Sequence, residues 1–211
     1  MRAELALTER PWGYMTMCLS YSPRMHFQIK IELLDVEPPI WRRILVPSEF
    51  TLFDLHQVIQ IAMGWEDCHL HDFTIKRQRY TTPDLDDFDD PRDERETRLC
   101  EVVRSRSKFH YLYDFGDDWN HSLVVERVVH DAALAGPVCV DGARACPPED
   151  SGGPWGYVDK LRAVANPEGE EDEELREWIG TDFDTELFDK ELVNKRLRKL
   201  VRLPARRHKR R

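Results

Sequence analysis

A strict alternation of apolar and polar side chains near the start of the chain is the feature that most constrains the fold. Four apolar residues alternate with three polar ones: Phe27, Ile29, Ile31 and Leu33 with Gln28, Lys30 and Glu32. Because neighbouring side chains of a β-strand point to opposite faces, this pattern predicts a strand with one buried face. Pro38 and Pro39 interrupt it, and the run of β-forming residues at 40–46 predicts a second strand, antiparallel to the first.

The segment that follows has the periodicity of a helix. Thr51 and Asp54 have the spacing of a capping box, and Gly64 is a typical stop. Apolar residues recur at helical spacing between them: Leu52, Leu55, Val58, Ile59 and Ala62. We therefore predict a helix from 51 to 64.

Later segments first return to alternation and then become helical. Further strands are predicted over 69–76, 109–115 and 122–129, and the first of them would point His69 and His71 inward. Apolar spacing then predicts three short helices, around 157–164, 175–179 and 187–200. Strands early and helices late favour an α+β fold, in which an antiparallel or mixed sheet packs with a helix and is followed by a C-terminal helical segment.

We expect one α+β domain over residues 25–200, with its C-terminal helical part at 165–200, because 211 residues suffice for one substantial core. Residues 1–24 lack a sustained periodicity and contain two prolines and a glycine. We interpret them as a loosely ordered lead. Residues 201–211 form a basic tail.

Charge is distributed unevenly along the chain. The net charge is −9, but residues 195–211 contain ten Lys or Arg and no acid, which leaves −19 on residues 1–194. A basic tail could contact the phosphates of DNA or RNA, whereas in the alternative it is solvated and lies against the acidic body.

The sequence also constrains the cellular compartment of the protein. No apolar run approaches the roughly 18 residues that a membrane-spanning helix requires, and no secretory leader is recognisable. The five cysteines are irregularly spaced, which is not typical of a disulfide framework. We expect a cytoplasmic protein with reduced thiols and no membrane partner.

Residues 84–96 are strongly acidic, with Pro83 directly before them and Pro91 among them. Their eight acids are Asp84, Asp86, Asp87, Asp89, Asp90, Asp93, Glu94 and Glu96. We predict a solvated loop here. A metal-binding loop is the alternative, although the segment lacks the glycine and the ligand register of a calcium-binding hand.

The segment from Tyr113 to His121 concentrates polar groups between two predicted strands. Besides Gly116 and Trp119, it contains Asp114, Asp117, Asp118 and His121. Converging carboxylates and an imidazole could hold a divalent cation or act in acid-base catalysis. A hairpin turn whose Asp side chains bond to loop amides is the alternative.

Two further groups could ligate a metal. His69 and His71 share one face of a predicted strand, although buried histidines bonded to the backbone would give the same pattern. Cys139 and Cys146 would need two more ligands, with His69, His71 or His121 as the candidates. The sequence contains no phosphate loop, dinucleotide-binding glycine fingerprint, Gly-x-Ser-x-Gly elbow or His-Glu-x-x-His motif, which weighs against the conventional nucleotide-binding, hydrolase and metalloprotease classes.

Three blocks resemble the plasmid pRiA4b ORF-3-like family, whose members also occur as passenger proteins of insertion elements. The first block runs from Pro38-Pro39-Ile40-Trp41-Arg42-Arg43 through Leu55-His56-Gln57-Val58-Ile59-Gln60 and Met63-Gly64-Trp65 to His69-Leu70-His71-Asp72-Phe73. The second is the segment 113–121. The third runs from Ala145-Cys146-Pro147-Pro148-Glu149-Asp150 through Gly152-Gly153 to Gly156-Tyr157. The resemblance covers about residues 25–200.

The resemblance implies an α+β fold of a roll-like kind and an association with mobile elements, without an established biochemical role. Some members carry a resolvase-like label, but no catalytic serine with an arginine cluster supports it here. Family members commonly have Cys at the position of Ser151, so a zinc site built from a third thiol beside Cys139 and Cys146 would lack one ligand in this chain.

Three functional hypotheses follow, and the sequence leaves open whether the protein is an enzyme. The first is a non-enzymatic binding or accessory module associated with mobile elements. Its partner would contact a surface around Trp41, Arg42, His69, His71, Asp117, Asp118 and Trp119.

The second hypothesis is a metal-dependent hydrolase or nuclease, with a divalent metal as its cofactor. Its cation ligands would be Asp114, Asp117, Asp118 and His121, with Glu149 or Asp150 as the base. The third hypothesis is nucleic-acid binding through the basic tail.

Overall fold

The computed structural model describes residues 25–82, 91–166, 173–180 and 183–200, and within them it contains one sheet and five helices. The strands are β1 (Met25–Leu33), β2 (Trp41–Pro47), β3 (His71–Ile75), β4 (Gln78–Thr81), β5 (Arg92–Asp93), β6 (Lys108–Tyr113), β7 (Trp119–His130) and β8 (Val138–Ala143). The helices are α1 (Leu52–Met63), α2 (Leu99–Val102), α3 (Gly153–Ala165), α4 (Glu173–Ile179) and α5 (Lys190–Leu200). The predicted α+β class is confirmed.

The eight strands lie in the order β5-β4-β3-β6-β7-β1-β2-β8. Only β4 and β5 run parallel among the described strands, and the other neighbours are antiparallel. The predicted pairing of the first two strands is confirmed, with Ile29 opposite Ile44. β1 also pairs with β7, so its alternating apolar residues lie on a central strand and are almost inaccessible to solvent.

Helix α1 begins and ends as its sequence predicts. The Asp54 amide donates to the Thr51 hydroxyl over 3.1 Å, and the Thr51 amide donates to the Asp54 carboxylate over 2.9 Å. Gly64 ends the helix in the left-handed region, at a φ of 98°, which glycine adopts without strain. The apolar residues predicted at helical spacing are all buried.

The late helices are confirmed, whereas the short peripheral elements were not predicted. Helices α3, α4 and α5 lie within a few residues of the predicted segments. The sequence did not predict β4, β5, β8 or α2, because two to six residues carry too little periodicity to reveal an element that depends on its neighbours. Among the helices that the structure describes, none is both long and apolar enough to cross a membrane.

Arg42 lies inside the fold, and its assignment to a partner-binding surface is therefore wrong. Its side chain is 2% exposed, and burial lowers the pKa of the guanidinium. The guanidinium donates to four backbone carbonyl oxygens, at distances of 2.8–2.9 Å: those of Trp41, Ala62, Ala143 and Arg144. These bonds join β2 to the end of α1 and to β8. Trp41, on the opposite face of β2, is half-buried beside Lys30 and Arg43.

We expect Arg42→Leu to lower the free energy of unfolding by about 3–5 kcal/mol, because several buried carbonyl groups lose their donor at once. Arg43→Leu is the matched control. It removes a partly exposed ion pair with Glu126, which contributes about 1 kcal/mol or less. Denaturant unfolding of both variants measures the difference, and equal losses would contradict the structural role of Arg42.

Candidate functional site

The three sequence blocks meet at the imidazole of His69. Its Nε2 atom lies 3.3 Å from Asp150 Oδ1, 3.6 Å from Asp114 Oδ2 and 3.8 Å from Glu149 Oε2. We call these four residues the His69 cluster. It brings together side chains that are 80 residues apart in the chain, and this convergence could not be deduced from the sequence.

In two carboxylates of the cluster, one oxygen accepts hydrogen bonds and the other oxygen faces His69. Asp114 Oδ1 accepts the amide hydrogens of Gly116 and Asp117, at 2.9 and 3.3 Å, which leaves Oδ2 facing His69. Glu149 Oε1 accepts from the Tyr113 hydroxyl at 2.9 Å and from the Glu66 amide at 2.8 Å. Its Oε2 is buried, and among the described residues neither this oxygen nor His69 Nε2 has a hydrogen-bond partner.

The loop that carries Glu149 and Asp150 is held against the rest of the site. The Trp65 indole donates to the Pro147 carbonyl over 2.9 Å, and the Gly152 amide donates to Asp117 Oδ2 over 2.9 Å. Gly153 has a φ of 68°, and a Cβ atom there would lie 2.3 Å from the Asp117 carbonyl oxygen. Only glycine therefore permits this approach of the third block to the second.

Cys68 also belongs to the site, and the sequence hypotheses did not include it. One ligand atom from each of Cys68, His69 and Glu149 lies within 4.8 Å of the others, and the same holds for His69, Asp114 and Asp150. Cys68 is exposed at the edge of the site, where partial desolvation and the nearby carboxylates of Glu149 and Asp150 raise the pKa of its thiol, so it is protonated at neutral pH. Its position directly before His69 was the one signal that could have identified it.

The predicted strand suggested that His69 and His71 could bind one metal. The structure does not bring them together in this way. The strand begins only at His71, so His69 lies outside the alternation and beside the loops. His71 is buried, and its Nε2 lies 2.9 and 3.0 Å from the two oxygens of Glu94.

Glu94 corrects the prediction of a solvated acidic loop at 84–96. Its side chain is inaccessible to solvent and also accepts a hydrogen bond from the Thr82 hydroxyl over 2.8 Å. A fully buried carboxylate persists because such partners replace water. Residues 83–90 lie outside the described part of the chain.

His71 is stacked on His56, with ring centroids 3.4 Å apart and planes within 3° of parallel. Gln60 donates to the Tyr111 hydroxyl over 3.0 Å, so that hydroxyl is free to donate to His56 Nδ1 at 2.8 Å. His56 then carries its proton on Nε2 and donates it to Asp67 over 2.7 Å.

This buried histidine pair is organised for hydrogen bonding. Burial lowers the pKa of His56, which keeps the imidazole neutral. Ligand atoms of His56, Asp67 and His71 lie within 4.8 Å of one another, but nitrogen lone pairs in two parallel, stacked rings cannot converge on one ion. We therefore assign the pair to the hydrogen-bonded interior and not to a metal site.

The cation set predicted from Asp114, Asp117, Asp118 and His121 does not converge. Alternation along β7 places both Trp119 and His121 on its buried face, where each side chain is fully inaccessible. The His121 ring contacts Trp65 edge-on, and burial lowers its pKa to about 4. Asp118 is exposed in the turn, and Asp114 alone of the four faces His69. Trp119 is likewise a core residue and not a surface contact.

The geometry does not support the cysteine hypothesis: among the described residues, neither Cys139 nor Cys146 lies in a group of three possible metal ligands. Burial raises the pKa of Cys139 to about 11 and that of Cys146 to about 12, so both thiols stay protonated. The positive charge of Arg42 acts on both thiols and opposes a second cation beside them. Ser151 is buried and donates to the Pro148 carbonyl.

Comparison with known proteins identifies relatives of the whole domain. The family model described as "Plasmid pRiA4b ORF-3-like protein" matches residues 25–192. The chain is 38% identical over 186 residues to the uncharacterized protein y4hQ of Sinorhizobium fredii, an alignment that covers 87% of this chain and 96% of that protein. It is also similar to the crystal structure of the protein of unknown function MM3350 from Methanosarcina mazei Go1, with a TM-score of 0.74, 35% identity, and coverage of 80% of this chain and 97% of that one.

We expect the buried His121 to make the fold sensitive to acid. Its pKa is lowered from 6.5 in the unfolded chain to about 4, so the unfolded state binds the proton more tightly and stability falls as the pH drops below 6.5. Between pH 7 and pH 5 this histidine alone contributes a loss of about 2 kcal/mol. Denaturant unfolding at both pH values should show a smaller loss for His121→Leu than for the parent chain. The same pH dependence in both proteins would contradict the assignment.

Proposed function

The chain belongs to the plasmid pRiA4b ORF-3-like family. For this family member we propose that it binds a divalent cation at the His69 cluster and uses the cation in a hydrolytic reaction. One observation carries this proposal. Asp114 and Glu149 each fix one carboxylate oxygen by hydrogen bonds and direct the other at His69 Nε2. A ligand and a base held in this way need little rearrangement when a cation enters.

Charge favours a divalent cation over a proton at this position. Three carboxylates surround one imidazole, and a protonated imidazole would offer a single positive charge and one Nε2 hydrogen. That hydrogen can point at only one acceptor, whereas a divalent cation can bind the His69 nitrogen and the oxygens of Asp114 and Asp150 together. One imidazole and two carboxylates suit zinc or manganese, and the third carboxylate, that of Glu149, lies beside the ion.

One side of the cluster is open to solvent, which supports a catalytic and not a closed structural site. The Asp150 side chain is 74% exposed, whereas those of Asp114 and Glu149 are mostly buried. A cation held here could keep a water ligand and lower its pKa towards neutrality. We propose His69, Asp114 and Asp150 as the ligands, because their ligand atoms lie within 4.8 Å of one another. We propose Glu149, whose Oε2 has no hydrogen-bond partner among the described residues, as the base that accepts a proton from that water.

The other two hypotheses receive less support. The surface proposed for a non-enzymatic accessory module loses Arg42 and Trp119 to the interior. The basic tail proposed for nucleic-acid binding lies outside the described residues. Association with mobile elements and a cytoplasmic location belong to the proposal as context and identify no reaction.

Calorimetric titration of the untagged chain with zinc chloride tests the site. We expect one equivalent to bind, and we expect His69→Ala and Asp150→Asn each to weaken binding at least tenfold, because each removes a group that faces the ion. The control is His110→Ala, which removes an exposed imidazole on β6 and should leave the affinity unchanged. Undiminished binding by His69→Ala would contradict the proposal.

Hydrolysis is tested separately with the zinc- and manganese-loaded chain. Bis-p-nitrophenyl phosphate and p-nitrophenyl acetate report on phosphodiester and ester cleavage. We expect metal-dependent turnover of at least one of them, reduced at least tenfold in Glu149→Gln at saturating metal. Turnover that is unaffected by Glu149→Gln would exclude this residue as the base, and no turnover with either substrate would leave a cation-binding protein without the hydrolytic activity proposed.

A further inference from the structure

Large apolar side chains are exposed on the same loops that carry the His69 cluster. Leu70 is 71% exposed, Phe115 is 44% exposed and Trp155 is 83% exposed. Leu70 follows His69, Phe115 follows Asp114, and Trp155 lies five residues after Asp150 in the first turn of α3. We call these three residues the apolar rim.

The three loops are bonded to one another, so the apolar rim forms part of one surface. The Asp114 amide donates to the Leu70 carbonyl over 2.9 Å. The bond from the Gly152 amide to Asp117 and the close approach of Gly153 to the Asp117 carbonyl join the third loop to the second. Clusters of exposed apolar residues rimmed by polar groups are typical of binding surfaces.

The loops that carry the apolar rim are acidic. Around the His69 cluster, further carboxylates occur in the same loops: Glu66, Asp67, Asp117 and Asp118. The nearby Arg79 is held by Asp72 at 2.9 Å and lies 6.0 Å from the Phe115 ring. A bound divalent cation would offset only two of the negative charges, so the surface stays acidic with or without it.

We propose that the apolar rim and the acidic loops together bind a polypeptide segment that carries Arg or Lys beside a large apolar side chain. Exposed aromatic faces such as those of Trp155 and Phe115 bind both apolar groups and guanidinium ions. Trp is also among the residues that dominate binding energy at protein interfaces. Nucleic acids and anionic membranes carry phosphates, which the carboxylates of this surface repel.

Selection from a displayed library of random dodecapeptides tests the inference with the full chain as bait. We expect the enriched peptides to be positively charged and to contain Leu, Phe, Trp or Tyr. Enrichment of neutral or acidic peptides, or of none, would overturn the proposal. Retention of a single-stranded oligonucleotide or of phosphatidylserine vesicles at this surface would overturn it in favour of another class of partner.

Calorimetry with the most enriched synthetic peptide then localises the binding. We expect Trp155→Ala and Leu70→Ala each to weaken it at least tenfold. Leu187→Ala is the matched control, because Leu187 is 62% exposed in the C-terminal part of the chain and should not affect it. Equal affinity in Trp155→Ala and the parent would refute the docking surface.

The peptide result is independent of cation binding. We expect Trp155→Ala to bind zinc as the parent does, and His69→Ala to bind the peptide within threefold of the parent. Failure of the docking surface and failure of the cation site are thus separate outcomes.

Discussion

The hydroxyl group of Tyr113 is the interaction on which the arrangement of the candidate site depends. It accepts the amide hydrogen of Cys68 at 3.2 Å and donates to Glu149 at 2.9 Å, so one oxygen joins all three sequence blocks. Burial and the neighbouring Glu149 carboxylate raise the pKa of Tyr113, which keeps the hydroxyl a donor. Its ring stacks on Trp65 at 4.8 Å, and Trp65 in turn holds the Pro147 carbonyl. The loops around the His69 cluster are therefore positioned by the core residues Tyr113 and Trp65 and not by a bound ion.

The chain uses its histidines in two different ways, although two of them are only one residue apart. In the buried pair, His56 is hydrogen-bonded to Tyr111 and Asp67, and His71 is hydrogen-bonded to Glu94. His69 lies just before β3 and faces three carboxylates without a hydrogen bond among the described residues. Buried polar groups that make hydrogen bonds stabilise a fold. Polar groups that are fixed in place without a hydrogen-bond partner are more typical of a binding site.

Local patterns in the sequence predicted the central part of the fold and the residue types of the site. The alternation in β1, the capping box of α1 and the flanks of the 114–118 turn each act over a few residues, so they could be recognised without the partner strands. The burial of Glu94 and Arg42 could not be recognised in this way, because it depends on His71 and Thr82 for Glu94 and on three distant carbonyl groups for Arg42. Asp114, Glu149, Asp150 and His69 were named from the sequence, but their grouping depends on the meeting of three distant loops. His121 was grouped with them because it is close in sequence. The alternation of side chains along β7 places it in the core instead.

The most direct test of the cation site is an anomalous difference map at the zinc absorption edge, from crystals of the chain grown with zinc chloride. The cluster geometry predicts one strong peak about 2.0–2.2 Å from His69 Nε2, Asp114 Oδ2 and Asp150 Oδ1. A map without a peak at His69, or with its only protein-bound peak between His56 and His71, would contradict the site.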